Sequence, residues 1–274
     1  MHFVKFKPNL NNFASDSQTI TMHFIDTHCH LYLPEFDNDL ETVMDRAQNE
    51  GIEKFYMPAI DHRETDRLLK TESAYPEKCF AMMGLHPCSV KENYEEELRL
   101  VEDWFEKRRF AAVGEIGLDY YWDLTFKKEQ IISFQKQIEL AIRKNRPIVI
   151  HSRESLDDCI DIVKSFQGKV RGIFHCFGGT MDQAKAIIDL GLYLGIGGVL
   201  TYKKSGLDLV MKEISLDHVV LETDAPYLSP VPFRGKRNES SYLIHVANKL
   251  AEIKQIDIAE VADITTKNAM HVFE

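Results

Sequence analysis

Short apolar runs recur along the chain, separated by amphipathic stretches. The runs are "FIDTHCH" (24–30), "KFYMPAI" (54–60), "CFAMMGLH" (79–86), "FAAVGEIGLD" (110–119), "PIVIHSR" (147–153), "GIFHCF" (172–177), "LYLGIGG" (192–198) and "VVLETDAP" (219–226). Each is rich in β-branched or aromatic residues and nearly continuous in hydrophobicity. That is the pattern of strands covered on both faces in a parallel sheet. The stretches between them have helical spacing. "DLETVMDRAQNEGI" sets Leu40, Val43, Met44 and Ala47 on one face and stops at Gly51. "KKEQIISFQKQIELAIRKN" sets Ile131, Phe134, Ile138 and Ile142 on another, before Pro147 opens the next strand. "MDQAKAIIDLGL" follows Thr180, an N-cap residue, and ends at Gly191. Eight strands alternating with helices predict an α/β fold, a single-domain (β/α)8 TIM barrel. An open doubly wound sheet is the alternative, and it lacks a GxGxxG after the first strand. Two further stripes, "SYLIHVANKLAEIK" and "IAEVADITTKNAMHVF", predict helices packed on the barrel exterior.

The barrel pattern begins only at a second "MHF", at Met22. Residues 1–21 are therefore expected to be a poorly ordered extension, and 22–274 the barrel domain. The N-terminal stretch has no continuous apolar segment of the signal-peptide kind, and no apolar run is long enough to span a bilayer. The five cysteines are odd in number and form no CxxC pair, which reads as reduced thiols in a cytoplasmic protein. At 44% hydrophobic and 28% charged, the 274 residues can bury a large core. A net charge of −10 excludes a broad phosphate footprint on duplex DNA. Any contact with nucleic acid must be local, at a site with its own cations.

Polar residues break the runs at one end. In a TIM barrel the C-terminal ends of the strands carry the chemistry. His28 and His30 end the first run, His86 the third, and Glu115, with Asp119 beyond it, the fourth. His151 and Arg153 end the fifth, His175 the sixth, and Glu222 and Asp224 the eighth. Singly, each has an ordinary structural explanation. Jointly they do not, because burying so many ionisable groups without a counter-charge costs several kcal/mol per unpaired ion. Imidazole and carboxylate are ligands of borderline and hard divalent metals, and this set exceeds one tetrahedral site. Two ions sharing Glu115 would use it all, with His28, His30 and Asp224 on one and His151 and His175 on the other.

Around this set lie supporting candidates. In an extended strand Asp26 shares a face with His28 and His30, and it is expected to orient a ligand from behind. Cys29 points the opposite way and packs outside. Glu222, one layer below Asp224, is a partner behind a ligand or a proton carrier. Arg153 faces a phosphate oxygen or a nearby carboxylate. Lys203 and Lys204, after the seventh run, and Arg234, Lys236 and Arg237, after the eighth, lie on the two loops that commonly bind phosphate in such barrels.

The motifs "IDTHCHL", "GLHP", "GEIGLDYY", "PIVIHSR", "FHCFGG", "LETDAPYLSP" and "RGKRNE", in this order, resemble the TatD family of metal-dependent deoxyribonucleases among the amidohydrolase-like barrels. The resemblance covers nearly all of the chain from Met22 onward. It implies that His28, His30, Glu115, His151, His175 and Asp224 are metal ligands and that His86 works at the catalytic centre. It also implies hydrolysis of DNA phosphodiesters assisted by two divalent ions (Mg2+, Mn2+ or Zn2+), often as a 3′–5′ exonuclease on single strands. Asp224 would then accept a proton from water and His86 would assist the phosphate or the leaving oxygen. No membrane or protein partner is expected. The alternative is a metal-dependent hydrolase of lactones, amides or phosphotriesters on the same barrel. Those enzymes often bridge their metals with a carbamylated lysine at strand four, where this chain has Glu115.

Overall fold

The computed structural model describes residues 22–274, so the expectation for residues 1–21 lies outside the described residues. All eight apolar runs overlap a strand: β1 Phe24–Asp26, β2 Ile52–Met57, β3 Cys79–Ala81, β4 Val113–Asp119, β5 Ile148–Arg153, β6 Gly172–Phe174, β7 Tyr193–Ile196 and β8 Val219–Leu221. Every pairing is parallel and in chain order, in two arcs, β1–β2–β3 and β4 to β8. The arcs meet on both sides. Between β3 and β4, Ala111 N–H donates to the Ala81 carbonyl at 3.0 Å and Gly114 N–H to Met83 at 3.1 Å. Between β8 and β1, Thr27 N–H donates to Leu221 at 3.0 Å and Asp224 N–H to His28 at 2.9 Å. These bonds complete a (β/α)8 ring.

The surrounding helices are α1 Leu40–Asn49, α2 Thr65–Ala74, α3 Tyr94–Lys107, α4 Lys127–Lys144, α5 Leu156–Ser165, α6 Met181–Asp189, α7 Leu207–Glu213 and α8 Leu243–Lys254, with α9 Ile258–Phe273 closing the chain. None among the described residues is long and apolar enough to cross a membrane. α1 buries Val43, Met44 and Ala47 as its periodicity predicts. α6 starts on a capping box between Thr180 and Gln183. In α4 the buried face is shifted. Phe134 and Ile138 are buried, but Gln130 and Gln137 join them, while Ile131 and Ile142 are only partly covered. The Gln137 amide bonds to both N–H and C=O of Leu85, at 2.7 and 3.1 Å. Gln130 does the same for Asp119, at 2.9 and 3.2 Å. Each amide thus satisfies backbone groups that leave the strand ladder, a reason for burial that apolar periodicity does not register.

Strand alternation produces two cores. One face of the strands, with Ile148, Ile150, Leu194 and Leu221, packs on the helices. The other face, with Ile25, Tyr56, Val149, Ile173 and Val220, fills the barrel. The expectation that both C-terminal helices lie outside is corrected here. The last turn of α9 places Ala269, Val272 and Phe273 in the inner cluster, and Phe273 stacks on Tyr56 with ring centroids 3.8 Å apart. α9 is thus the floor of the barrel, opposite the polar strand ends. Truncating this plug removes a large buried ring. Phe273→Ala is expected to cost about 3–5 kcal/mol of stability in urea unfolding, with divalent-cation uptake by the folded protein unchanged.

Candidate metal centre

Six of the eight strands end sooner than their apolar runs, all but β4 and β5. β1 stops at Asp26 and β8 at Leu221, so His28, His30, Glu222 and Asp224 sit on backbone beyond the ladder. That backbone remains tied to its neighbours. Cys29 N–H donates to Tyr56 at 3.1 Å and His30 N–H to Ala225 at 2.7 Å. Asp224 has φ of 58°, a left-handed conformation unusual outside glycine and typical of functional sites, where it costs about 1–3 kcal/mol. The 2.7 Å bond from Tyr227 N–H to the Asp224 carbonyl holds the turn.

Because the extended run breaks, Asp26 does not share a face with the two histidines. Its carboxylate accepts from Thr223 Oγ1 at 2.6 Å, Thr223 N–H at 3.0 Å and Ser240 Oγ at 2.7 Å. Burial pushes this carboxyl up to about 7 despite those bonds. Asp26 therefore fastens β1 to the loop after β8. It supports His28 only through the backbone, at 3.4 Å from its N–H. Cys29 is buried in the outer core, where it accompanies Leu31 and Tyr32.

Glu115, on β4, is the point the other side chains share. Its Oε2 lies 3.2 Å from His28 Nε2 and 3.7 Å from His30 Nε2. Its Oε1 lies 2.9 Å from His151 Nδ1, and 3.5 Å from both His175 Nε2 and His86 Nε2. Asp224 Oδ1 lies 3.7 and 3.6 Å from the Nε2 atoms of His28 and His30. All six expected ligands are thus brought together, with His86 beside them. Burial pushes the Glu115 carboxyl up, but the imidazoles of His28, His86 and His175 outweigh it and hold it well below the usual range. For His175, burial favours the neutral ring, yet Glu222 and Glu115 push it up to about 10. For His28, burial and the nearby His175 ring favour the neutral form.

The donor set fits divalent ions. His28 Nε2 and His30 Nε2 face each other at 3.3 Å. Ligand atoms about 2.1 Å from a tetrahedral ion stand roughly 3.4 Å apart. His30 is held for such a role. Its Nδ1 lies 3.1 Å from Tyr32 Oη, and that hydroxyl donates to the Pro58 carbonyl at 2.7 Å. Nδ1 must then donate to Tyr32, which leaves Nε2 bare. His86 is held for the opposite role. Its Nδ1 accepts from Cys88 N–H at 3.0 Å, so in the neutral ring Nε2 carries the proton and is a donor. The donor atoms close enough to share an ion include those of His28–His30–Glu115 and His28–His175–Asp224; His86 is within the same reach of Glu115 and His151, but its Nε2–H faces them as a donor.

Behind these atoms stand residues that fix them. Asp119 Oδ2 bonds to His151 Nε2 at 2.8 Å; burial raises the Asp119 carboxyl, but His151 and backbone donors bring it down to about 2. Glu222 is fully buried, with Oε1 accepting from Cys176 N–H at 2.6 Å and lying 3.0 Å from His175 Nδ1. At that distance the Glu222 carboxylate favours the charged His175 ring. Gly195 makes the space, because a Cβ there would lie 2.3 Å from Glu222 Oε2. Glu222 thus sits behind His175, away from the open side. Tyr32 and the two-sided role of Asp119 escape sequence reasoning, since neither breaks the local pattern.

The basic residues separate into two kinds. Arg237 is engaged with Asp39 at 2.7 and 2.8 Å and clamps the loop after β8 to α1. Lys203, Lys204 and Arg234 are exposed around a depression of about 480 Å3 floored by Val199, Tyr202 and Val231. Arg234 lies 3.7 Å from the Tyr202 ring centroid, and Tyr202 Oη donates to Ser229, which joins the two loops. Lys236 is exposed beside Phe233. Arg153 has no carboxylate within ion-pair distance among the described residues; its guanidinium lies over Tyr121, 3.8 Å from the ring centroid.

A parallel α/β barrel with a histidine–carboxylate cluster at its C-terminal strand ends is the architecture of metal-dependent hydrolases. The family model described as TatD related DNase matches residues 25–274, and the chain belongs to that family. It is 39% identical over 250 residues to the uncharacterized metal-dependent hydrolase YabD of Bacillus subtilis, covering 90% of this chain and 98% of that one. It is 30% identical over 256 residues to the 3′-5′ ssDNA/RNA exonuclease TatD of Edwardsiella piscicida, covering 91% and 98%. The crystal structure of YjjV, a TatD homologue from Escherichia coli, superposes with a TM-score of 0.87 at 30% identity, covering 93% of this chain and 99% of that one. A mutant organophosphorus hydrolase from Deinococcus radiodurans shares the fold, with a TM-score of 0.65 at 11% identity over 92% and 93%. The protein is a hydrolase of the metal-dependent kind. The position of Glu222 makes a prediction. Glu222→Gln is expected to lower affinity for divalent cations roughly 10–100-fold in competition with a chromophoric chelator, with circular dichroism unchanged.

Proposed function

We propose that this protein hydrolyses DNA phosphodiester bonds, as a 3′–5′ exonuclease on single strands, using two divalent cations. One observation carries the reading: the two oxygens of Glu115 face separate imidazole groups, His28 and His30 on one side, His151 and His175 on the other. Charge supports the same count. Glu115, Asp119, Glu222 and Asp224 are four carboxylates in contact with these imidazoles. With neutral rings, their four negative charges match two divalent cations. His28, His30 and Asp224 would hold one ion, His151 and His175 the other, with Glu115 between them. When bound, such ions lower the pKa of water and polarise a phosphoryl group.

The chain's own residues supply the remainder. Asp224, the most accessible of these carboxylates with 14% of its side chain exposed, accepts a proton from the attacking water. His86 Nε2–H donates to a phosphate oxygen or to the leaving oxygen. Glu222 and Asp119 hold the His175 and His151 rings and take no direct part. Lys203, Arg234 and Lys236 form a cationic rim for the flanking phosphates, and Arg153 supplies a further cation beside β5. This local rim lets a chain of net charge −10 accept a polyanion. The name of the Edwardsiella relative, a single-strand DNA and RNA exonuclease, supports the same substrate class.

The roles of His86 and His151 separate experimentally. His151→Ala is expected to lose bound metal and nearly all nuclease activity. His86→Ala is expected to keep its metal and lose about 10²–10⁴-fold in kcat. Metal analysis and end-labelled cleavage after chelation and resupply of Mg2+, Mn2+ or Zn2+ check both. Hydrolysis of lactones or phosphotriesters with inert DNA would refute the nuclease reading.

A further inference from the structure

The loop after β4 reads "YYWDLTF" and places large rings in solvent beside the centre. Tyr121 is 50% exposed and Trp122 68%. They pack edge to face with centroids 4.8 Å apart. The Arg153 guanidinium lies 3.8 Å from the Tyr121 centroid and 5.2 Å from that of Trp122. Water-exposed aromatic surface on a structured loop is unfavourable unless something covers it.

The loop is not free to move relative to the hydrolytic cluster. Asp119 Oδ1 accepts from the N–H groups of Tyr121 at 3.0 Å and Trp122 at 3.3 Å. Its other oxygen, Oδ2, holds His151 at 2.8 Å. Tyr120 adds an N–H bond to the Arg153 carbonyl at 2.9 Å and a hydroxyl bond to Asp158 at 2.8 Å. Arg153 itself is two residues beyond His151 on β5, a rise of about 7 Å along the strand. That distance is comparable to one nucleotide of an extended single strand. One buried carboxylate therefore sets the spacing between a hydrolytic imidazole and a pair of exposed rings.

We propose that Tyr121 and Trp122 form a stacking subsite for one base of a single-stranded nucleic acid, next to the nucleotide whose phosphodiester is cut. The proposal rests on the nuclease reading above for its substrate class. Every base offers a π-face, so such a platform binds single strands with little sequence preference and excludes a base still paired in a duplex. Arg153 adds a cation against the stacked rings and the adjacent phosphate. A protein partner fits less well. The rings are flanked by a guanidinium, and their backbone is bonded to the same residue that orients His151, so their place is fixed with respect to the centre.

The test compares binding of a phosphorothioate single-stranded oligonucleotide by metal-loaded wild type, Trp122→Ala and Trp122→Phe, using fluorescence anisotropy. Oligonucleotides with one abasic position, scanned from the 3′ end, complete the cycle. Trp122→Ala is expected to weaken binding roughly 5- to 100-fold, with Trp122→Phe close to wild type. Wild type is expected to lose a similar factor at one abasic position, where Trp122→Ala loses nothing further. Affinity of Trp122→Ala for divalent cations, read by competition with a chromophoric chelator, is expected to equal that of wild type, because Trp122 meets Asp119 only through its backbone N–H. Binding of Trp122→Ala equal to wild type would overturn the subsite, as would a penalty that ignores base position or a loss of divalent-cation affinity as large as the loss of oligonucleotide binding. Cleavage of unmodified oligonucleotide by wild type scores the nuclease reading separately.

Discussion

The structure depends on a carboxylate placed where a carboxylate is costly. Glu115 is 2% exposed and lies within 4 Å of imidazole nitrogens from five histidines. Removing such a group from water costs several kcal/mol unless its charge is matched. Imidazoles reach it from four other directions, His28 and His30 beyond β1, His86 beyond β3, His151 on β5 and His175 beyond β6, and these rings with the cations they would hold supply the match. No one strand could do this. Closing the ring, through the bonds between β3 and β4 and between β8 and β1, is what brings the histidines into contact with a residue on β4.

The cluster in turn demands support that does not itself touch the centre. Each imidazole has two nitrogens, and the partner of the outer one decides what the inner one can do. Tyr32 turns His30 into a lone-pair donor, and Cys88 N–H turns His86 into a proton donor, although both rings point at the same carboxylate. The distinction is invisible in a count of histidines. It also explains why the polar residues extend below the first layer. Glu222 needs Gly195 to leave it room, and Asp26 needs Thr223 and Ser240 to hold it. The apolar plug supplied by α9 closes the opposite end, so polar and apolar halves of the barrel interior are segregated along its axis.

Much of this was legible in the chain. Eight apolar runs gave eight strands, and the polar residues interrupting them marked the end where they meet. The periodicity failed where hydrogen bonding overrode it. Gln130 and Gln137 are buried because they pair with backbone, and "FIDTHCH" stops being a strand after Asp26, so the two-residue spacing that put Asp26 on a face with His28 and His30 does not apply. The charge run "RGKRNE" is similarly mixed. Arg237 and Glu239 clamp the loop to α1, Asn238 fills it, and Arg234 and Lys236 remain exposed. Charge signs alone cannot separate a clamp from a rim, because the difference lies in which partner happens to be within reach.

The same barrel serves hydrolases with little sequence in common, as the likeness to an organophosphorus hydrolase at 11% identity shows. What the fold holds constant is the end of the barrel at which chemistry occurs. What it leaves free is the set of βα loops around that end. In this chain those loops carry cations on one side, after β7 and β8, and paired aromatic rings with an arginine on the other, after β4 and β5. A small neutral ester would use neither. A strand of alternating phosphates and flat bases would use both. On the proposed reading, substrate choice is a property of the rim and reactivity of the buried cluster. Asp119 joins the two, because one of its oxygens holds a histidine of the cluster and the other accepts from the backbone N–H groups that carry the rings of the rim.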